Sequence, residues 1–142
     1  MKSSASAVWE GGLKDGAGRL TGASGVFSET PYTFARRFEG AGTGTTPEEL
    51  VAAAHSGCFA MAFSAELGKA GFTPQRLSVK CTVTLEPVDG KPTVSSSALE
   101  LEGMVPGIDE AKFQEIAAGA KAGCPISRLL KANITLTARL VR

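Results

Sequence analysis

The side chains best suited to nucleophilic or redox chemistry in this 142-residue chain are three cysteines and a single histidine. Cys58 lies within His55-Ser56-Gly57-Cys58-Phe59, and a three-residue spacing lets His55 and Cys58 neighbour one another on a helix. A Cys/His pair of this kind can make an activated thiol nucleophile. It is also two-thirds of a zinc site if Cys124 joins it, although the sequence offers no evident fourth ligand. The plainer expectation for His55 is a hydrogen-bonded core histidine. Cys124 stands between Gly123, which can end a helix, and Pro125, which suits a first helical position. A sulfur there meets the positive end of the helix dipole, which favours thiolate; a buried packing residue is the alternative. Cys81 alternates with Val79 and Val83 on an apolar strand face and reads as a small core hydrophobe.

A thiol in the middle of a helix has no help from the helix terminus, so Cys58 needs an outside cation to become a thiolate. Arg36 and Arg37 can supply one, within Tyr32-Thr33-Phe34-Ala35-Arg36-Arg37-Phe38. Read as a strand, this segment puts Arg36 on one face with Tyr32, Phe34 and Phe38, and Arg37 on the other with Ala35. A carboxylate would hold such an arginine by a bidentate pair, and Glu48 and Glu49 are the candidates. The bland expectation for each charge is a solvated surface position.

These residues must be positioned by the elements around them. Short strands are expected near 5–10, 17–22 and 32–38, separated by Gly-rich turns. Glu39–Thr45 is a Gly-rich connector without the Lys-Ser/Thr ending of a phosphate loop. Thr46-Pro47-Glu48-Glu49 then starts a helix: Thr46 caps, Pro47 takes the first position and Glu49 completes a capping box. The helix runs to about 70, where Gly71 ends it. Its middle is apolar on all sides, which predicts a helix buried by a wrapped sheet or a second subunit. Gly57 costs about 1 kcal/mol there relative to Ala, which hints at close approach of another backbone or a ligand.

Residues 77–86 alternate cleanly as a half-buried strand, and 94–105 as a second with Leu99, Leu101 and Val105 on one face. Asp89-Gly90 supplies a turn between them. Asp109 caps a helix over 110–122 that Gly123 closes, a short helix follows from Cys124-Pro125 to about 131, and Ile134, Leu136, Ala138 and Leu140 mark a last strand. This order is α+β, and no repeat or linker divides 1–142 into more than one domain.

The bulk composition narrows the function. Apolar residues at 43% and charged residues at 20% describe an ordinary globular chain, and a net charge of +1 gives no footprint for nucleic acid. No uninterrupted apolar run approaches the roughly 18 residues that span a bilayer, and no secretory pattern opens the chain, so a cytoplasmic protein without membrane partners is expected. Three widely spaced cysteines do not form a disulfide framework, and in a reducing compartment they are free, catalytic or redox-active.

Glu48 and Cys58 stand ten residues apart, about 15 Å along a helix axis, so they cannot meet within one straight helix. Two copies of the helix packed antiparallel across a two-fold axis would bring them together, which predicts a homodimer with sites at its interface.

The assembled motifs resemble the OsmC/Ohr family of organic hydroperoxide peroxidases, and its OsmC (osmotically inducible protein) branch in particular. The matching segments are Val8-Trp9-Glu10-Gly11, Pro31-Tyr32 leading to Arg37-Phe38-Glu39-Gly40, Thr46-Pro47-Glu48-Glu49-Leu50 and Ala52-Ala53-Ala54-His55 through Cys58-Phe59. Gly71-Phe72-Thr73-Pro74, Val105-Pro106-Gly107-Ile108 and Ala120-Lys121-Ala122-Gly123-Cys124-Pro125 complete a resemblance that covers essentially the whole chain. Gly57 stands where the family pattern has Ala, and the loop before Thr46 is slightly longer.

The resemblance implies an intertwined homodimer in which mixed or antiparallel sheets wrap buried central helices. It implies that Cys58 attacks the peroxide and becomes a sulfenic acid, that Cys124 condenses with it to a disulfide, and that a dithiol such as a protein-bound lipoyl group reduces that disulfide. Arg37 would activate the thiolate and Glu48 would orient Arg37; no metal, flavin or other cofactor is implied. The rival from another class is a non-catalytic thiol redox sensor, or a small-ligand-binding stress protein, on the same fold.

Overall fold

The computed structural model describes residues 1–142. Contacts divide the chain into two compact units, Met1–Leu50 and Val51–Arg142, described here in turn.

In the first unit, β1 (Ala5–Glu10), β2 (Ala17–Gly22) and β3 (Thr30–Tyr32) form an antiparallel sheet in the order β1-β2-β3. Gly18 pairs with Trp9 on one side and Tyr32 on the other. The two rings close over it at 5.4 Å between centroids, and a Cβ at Gly18 would lie 2.3 Å from the Tyr32 ring. Only glycine fits under that aromatic pair.

The strand expected over 32–38 is corrected. Pairing stops at Tyr32, and Ala35–Glu39 coils into one π-helical turn. The Arg37 amide donates to Thr33 O and the Arg36 amide to Thr33 Oγ1. Gly40 ends the turn in the left-handed region. The aromatic spacing that resembled strand alternation instead lets Phe34 and Phe38 meet at 4.9 Å, one helical turn apart. The assignment of Arg36 and Arg37 to opposite faces of a strand therefore falls.

Helix α1 (Pro47–Lys69) starts as its sequence dictates. The Glu49 amide donates to Thr46 Oγ1 at 3.0 Å, the first half of the expected capping box. The second half is replaced, because the Glu49 carboxylate accepts from the Thr45 hydroxyl. The other end closes at Gly71, with the Phe72 amide on Leu67 O.

The second unit holds a mixed sheet in the order β4-β5-β6. β4 (Arg76–Val88) and β5 (Lys91–Met104) form a long antiparallel hairpin. Val88 pairs with Lys91, so Asp89-Gly90 is the entire loop, both residues with positive φ as a two-residue primed turn requires. Because this turn is so tight, both strands extend toward it beyond their expected limits, and β5 ends at Met104, one residue before its expected limit. β6 (Asn133–Leu140) joins β5 in parallel, after a crossover through α2 (Glu110–Gly123) and α3 (Pro125–Leu129). Asp109 caps α2 by accepting from the Lys112 amide at 2.7 Å. Gly123 is the last residue of α2, and Cys124 is the cap shared by α2 and α3.

The core of this unit is built by Phe59, Phe63 and Leu67 of α1, Leu99 and Leu101 of β5, Val105 and Ile108, and Phe113, Ile116, Ala117 and Ala120 of α2. Gly103 continues the inward face of β5, where a Cβ would lie 2.8 Å from the Phe113 ring. Phe113 meets Phe63 edge to face at 5.3 Å.

Two expectations about α1 are not met within a single chain. The helix is not buried all round within one chain: His55, Phe59, Phe63 and Leu67 recur every fourth residue on the buried face, whereas Ala53, Ala54, Gly57, Met61 and Ala65 are exposed. Nothing lies within 4 Å of where a Gly57 Cβ would stand, so the close approach expected there is absent from the single chain. The helix is also long and apolar enough, by length and composition, to cross a membrane. Counting uninterrupted apolar residues misses this, because His55, Ser56, Gly57 and Cys58 break the run without adding fixed charge.

Candidate active site

The four residues singled out for chemistry form two pairs, one in each unit. In the first unit Arg37 grips Glu48. Its Nη2 donates to Oε1 at 2.7 Å and its Nε to the same oxygen at 3.0 Å. Glu48 is the second residue of α1 and its side chain is 11% exposed, so the carboxylate is held between a guanidinium and the positive end of the helix. A partly buried bidentate pair is rigid, and it fixes where the remaining guanidinium N–H groups point. Of the four Arg/Glu combinations that the sequence left open, this is the one that forms; Glu49 turns to Thr45 instead.

Beside Arg37 lies a pocket of about 220 Å³ lined by Trp9, Leu13, Tyr32, Thr33, Phe34, Phe38 and Arg37. The guanidinium sits 5.2 Å from the centre of the Phe38 ring, a cation–π distance. A fixed positive charge thus stands on an aromatic wall.

In the second unit α1 carries Cys58 to the start of α3. The Ile126 amide points at Cys58 Sγ, 3.5 Å away. Cys124 caps α3 with its sulfur, which accepts from the Ser127 amide at 3.3 Å and lies 3.3 Å from Ser127 Oγ. All three cysteines are free thiols, and Cys124 is fully buried.

The two thiols titrate in opposite directions. Burial pushes the Cys58 thiol up, against the Ile126 amide that lowers it, and the neighbouring Cys124 raises it further. Burial also pushes Cys124 up, but hydrogen bonds with the Ser127 hydroxyl, the Ser127 amide, Cys58 and the Ile126 amide outweigh it and bring Cys124 below its ordinary value. Within a single chain the surroundings therefore favour the anionic form of Cys124 over that of Cys58. Cys58 has no cation of its own in this unit's hydrogen-bond pattern, as its mid-helix position predicts.

His55 is a core histidine, fully buried, with Nδ1 2.6 Å from Ser97 Oγ and Nε2 2.8 Å from Ser127 Oγ. Both ring nitrogens are engaged by hydroxyls, so the imidazole is not free to join Cys58 and Cys124 around a zinc ion. Cys81 packs against the core as expected, and its sulfur also lies 3.1 Å from Ser97 Oγ. The sequence reading missed both serines. A signal for Ser97 existed: it shares the inward face of β5 with Leu99 and Leu101, and a polar group there demands a partner.

Burial lowers the His55 pKa below its ordinary value near 6.5. The unfolded chain therefore binds more protons than the native chain as pH falls through that value, and native stability declines in that direction. Urea unfolding free energies measured from neutral to mildly acidic pH are expected to decrease below about 6.5, and His55→Gln is expected to flatten that decline.

Residues 40–139 match the family described as OsmC-like protein. The chain belongs to this family. It is 49% identical to Peroxiredoxin OsmC of Escherichia coli (strain K12) over 134 residues, covering 94% of this chain and 93% of that protein. It is 33% identical over 100 residues to the Organic hydroperoxide resistance protein of Xanthomonas axonopodis pv. citri (strain 306), covering 70% and 68% respectively. Among solved structures, the organic hydroperoxide resistance protein OhrB of Bacillus subtilis superposes with a TM-score of 0.74 at 24% identity over 97% of this chain and 98% of that one. An OsmC-like protein from Mycoplasma pneumoniae gives 0.76 at 19% identity over 100% and 99%. These likenesses establish the α+β fold as that of OsmC and Ohr proteins. The OsmC-like match contains Glu48, Cys58 and Cys124, and Arg37 lies just before it.

Proposed function

We propose that the chain is a cysteine-based peroxidase that reduces organic hydroperoxides to alcohols, working in the cytoplasm as a homodimer with both active sites at the subunit interface. The observation that carries this reading is the pair of free thiols, Cys58 and Cys124, placed at the start of α3 near enough to influence one another's titration. Membership of the OsmC-like family and the names of the relatives support a peroxide as substrate.

In the proposed cycle the Cys58 thiolate attacks the distal oxygen of ROOH. The O–O bond breaks, Cys58 becomes a sulfenic acid, and the alkoxide takes a proton to leave as ROH. The Cys124 thiolate then attacks Cys58 Sγ, the S–O bond breaks, and hydroxide leaves as water with one proton. A dithiol, such as a lipoyl group on a protein, reduces the resulting disulfide by two exchange steps and becomes a cyclic disulfide itself.

The dimer supplies what one chain lacks. Only 22% of the most apolar window of α1 is buried within the chain, and Met61 on its open face is 77% exposed. A second copy of the same helix, packed antiparallel, covers that face and brings Arg37 and Glu48 of the partner subunit toward Cys58, the geometry that a 15 Å separation along one helix demands (about ten residues at 1.5 Å each). The added cation would move the negative charge onto Cys58. Residues 1–142 act as a single domain in this scheme, because the chemistry needs the Arg37–Glu48 pair of the first unit and the thiols of the second. The aromatic pocket beside Arg37 receives the organic group of the peroxide.

The test is steady-state loss of cumene hydroperoxide with dihydrolipoamide as reductant. Many turnovers per chain are expected, with kcat/KM at least about tenfold above that for hydrogen peroxide, since burying an aryl group is worth more than about 1.4 kcal/mol. A single oxidation per chain without turnover would instead make it a sensor, and equal efficiency with the two peroxides would remove the organic preference.

A further inference from the structure

A buried imidazole lies beside the thiol pair without a hydrogen bond to either of its sulfurs. His55 stands three residues before Cys58 on α1, and Ser127 stands three residues after the Cys124 cap of α3. One helical turn away from the two thiols, these residues meet: His55 Nε2 is 2.8 Å from Ser127 Oγ. On the other side of the ring, Nδ1 is 2.6 Å from Ser97 Oγ of β5, which lies 3.1 Å from Cys81 Sγ of β4. His55 and Ser97 are fully buried and Ser127 is 8% exposed. None of the three has a place in the cycle described above.

We propose that His55 is a positioning residue: bonded to Ser127 on one side and Ser97 on the other, it holds the first turn of α3 against α1 and so sets how fast Cys124 resolves the oxidised Cys58. This rests on the peroxidase reading.

A helix of five residues has no stability of its own and keeps its place only through tertiary contacts. Ser127 is the one buried residue of α3, and His55 is its partner on α1. The other hydrogen bond between α1 and α3 runs from the Ile126 amide to Cys58 Sγ at 3.5 Å, through the reacting sulfur, and it changes when that sulfur gains oxygen. The His55–Ser127 bond contains no reacting atom and can persist through the cycle. Ser127 in turn fixes Cys124, because its amide and its hydroxyl each lie 3.3 Å from Cys124 Sγ. Position therefore passes from the sheet at Ser97 through His55 to Ser127 and the resolving sulfur, whichever way each hydroxyl proton points.

This placement governs a competition. In resolution Cys124 Sγ bonds to Cys58 Sγ, the Cys58 S–O bond breaks, and hydroxide leaves with the Cys124 thiol proton as water. In the competing step a second ROOH transfers an oxygen to the sulfenic sulfur, giving a sulfinic acid and ROH. Resolution depends on the separation and alignment of two sulfurs, and a misplacement of about 1 Å costs about 100-fold. The competing step needs only Cys58 and peroxide. Loosening α3 therefore slows resolution alone, and the chain is inactivated at lower peroxide.

Rapid quench and intact mass through one oxidation cycle test this in wild type and in variants that still unfold cooperatively in urea. His55→Asn is too short to reach Ser127. Its sulfenic acid is expected to form within about twofold of the wild-type rate and its disulfide about ten- to hundredfold more slowly. The cumene hydroperoxide concentration that converts half of the chains to sulfinic acid is expected to fall by the same factor. His55→Gln reaches Ser127 again and is expected to restore disulfide formation to within about threefold of wild type. A wild-type disulfide rate in His55→Asn, equal rates in the Asn and Gln variants, or sulfenic acid formation slowed as much as disulfide formation would overturn the proposal. Should His55→Asn not fold, Ser97→Ala decides: it removes one hydroxyl remote from both reacting thiols. Disulfide formation at least about threefold slower is expected there, and an unchanged rate overturns the proposal. Equilibration with reduced and oxidised glutathione reads the same positioning without peroxide. The effective concentration of Cys124 toward Cys58 is expected to be about ten- to hundredfold lower in His55→Asn than in wild type. That fall without peroxide turnover in the wild type supports the positioning role and sinks the peroxidase reading, whereas turnover without the fall sinks the positioning role alone.

Discussion

Cys58→Ser is expected to reduce dihydrolipoamide-dependent turnover of cumene hydroperoxide to below about one thousandth of wild type, because the removed group is the nucleophile itself. A serine hydroxyl is not ionised near neutral pH and forms no sulfenic acid, so nothing downstream can begin. The substitution is mild for the fold. Cys58 lies at the edge of the core, and a serine oxygen can take the Ile126 amide that the sulfur now faces. A change in stability within about 1 kcal/mol is expected, so lost activity would not be lost structure. Cys124→Ser behaves differently. It keeps the first oxidation, consumes about one peroxide per chain and then stalls, because the Cys58 sulfenic acid has no thiol to condense with and climbs toward the sulfinic acid under excess peroxide. Intact-mass spectra after peroxide addition distinguish the two variants. Wild-type turnover in Cys58→Ser would remove Cys58 from the mechanism.

Much of this could be read from the residues, for identifiable physical reasons. Period-two alternation in 77–86 and 134–140 and the Asp109 cap are local signals, and the structure honours them. The segment after Tyr32 misled because Tyr32, Phe34 and Phe38 have a strand's spacing, while the Thr33 carbonyl and hydroxyl draw the chain into a helical turn. Spacing alone left two arginines and two glutamates open, and only the folded turn selects Arg37 with Glu48. The apolar middle of α1 was plain, but composition does not say what covers a face, and one face of that helix stays open in one chain. His55 was readable as a core residue; its partner Ser97 left a signal on the inward face of β5, whereas Ser127 was hidden by how common serine is. Cys124 was visible as a helix cap, yet the lowering of its pKa needed the positions of Ser127 and Ile126.

Since burial pushes the Cys58 thiol up within its own chain, its activation has to arrive from elsewhere, and the rigid Arg37–Glu48 pair is the proposed source. An arginine brought beside a thiol lowers its pKa by about one to three units, so Arg37→Leu is expected to cost roughly 10- to 100-fold in kcat/KM at neutral pH and to shift the pH–rate profile upward. Glu48→Gln weakens the clamp that aims the guanidinium and is expected to cost less. Mixing then tests where the arginine comes from. Alone, Arg37→Leu chains keep about one tenth to one hundredth of wild-type activity and Cys58→Ser chains almost none. If the site takes Cys58 from one subunit and Arg37 from the other, a dimer of one chain of each kind contains one intact site and one doubly defective site. Random reassortment of equal amounts makes half of the dimers mixed, so activity is expected to recover to roughly one quarter of wild type. If Arg37 and Cys58 act within one chain, every site in the mixture carries one of the two lesions and nothing is recovered. Recovery would therefore support a shared site, and its absence under conditions where subunit exchange is demonstrated by mass would place the activating cation within the same chain.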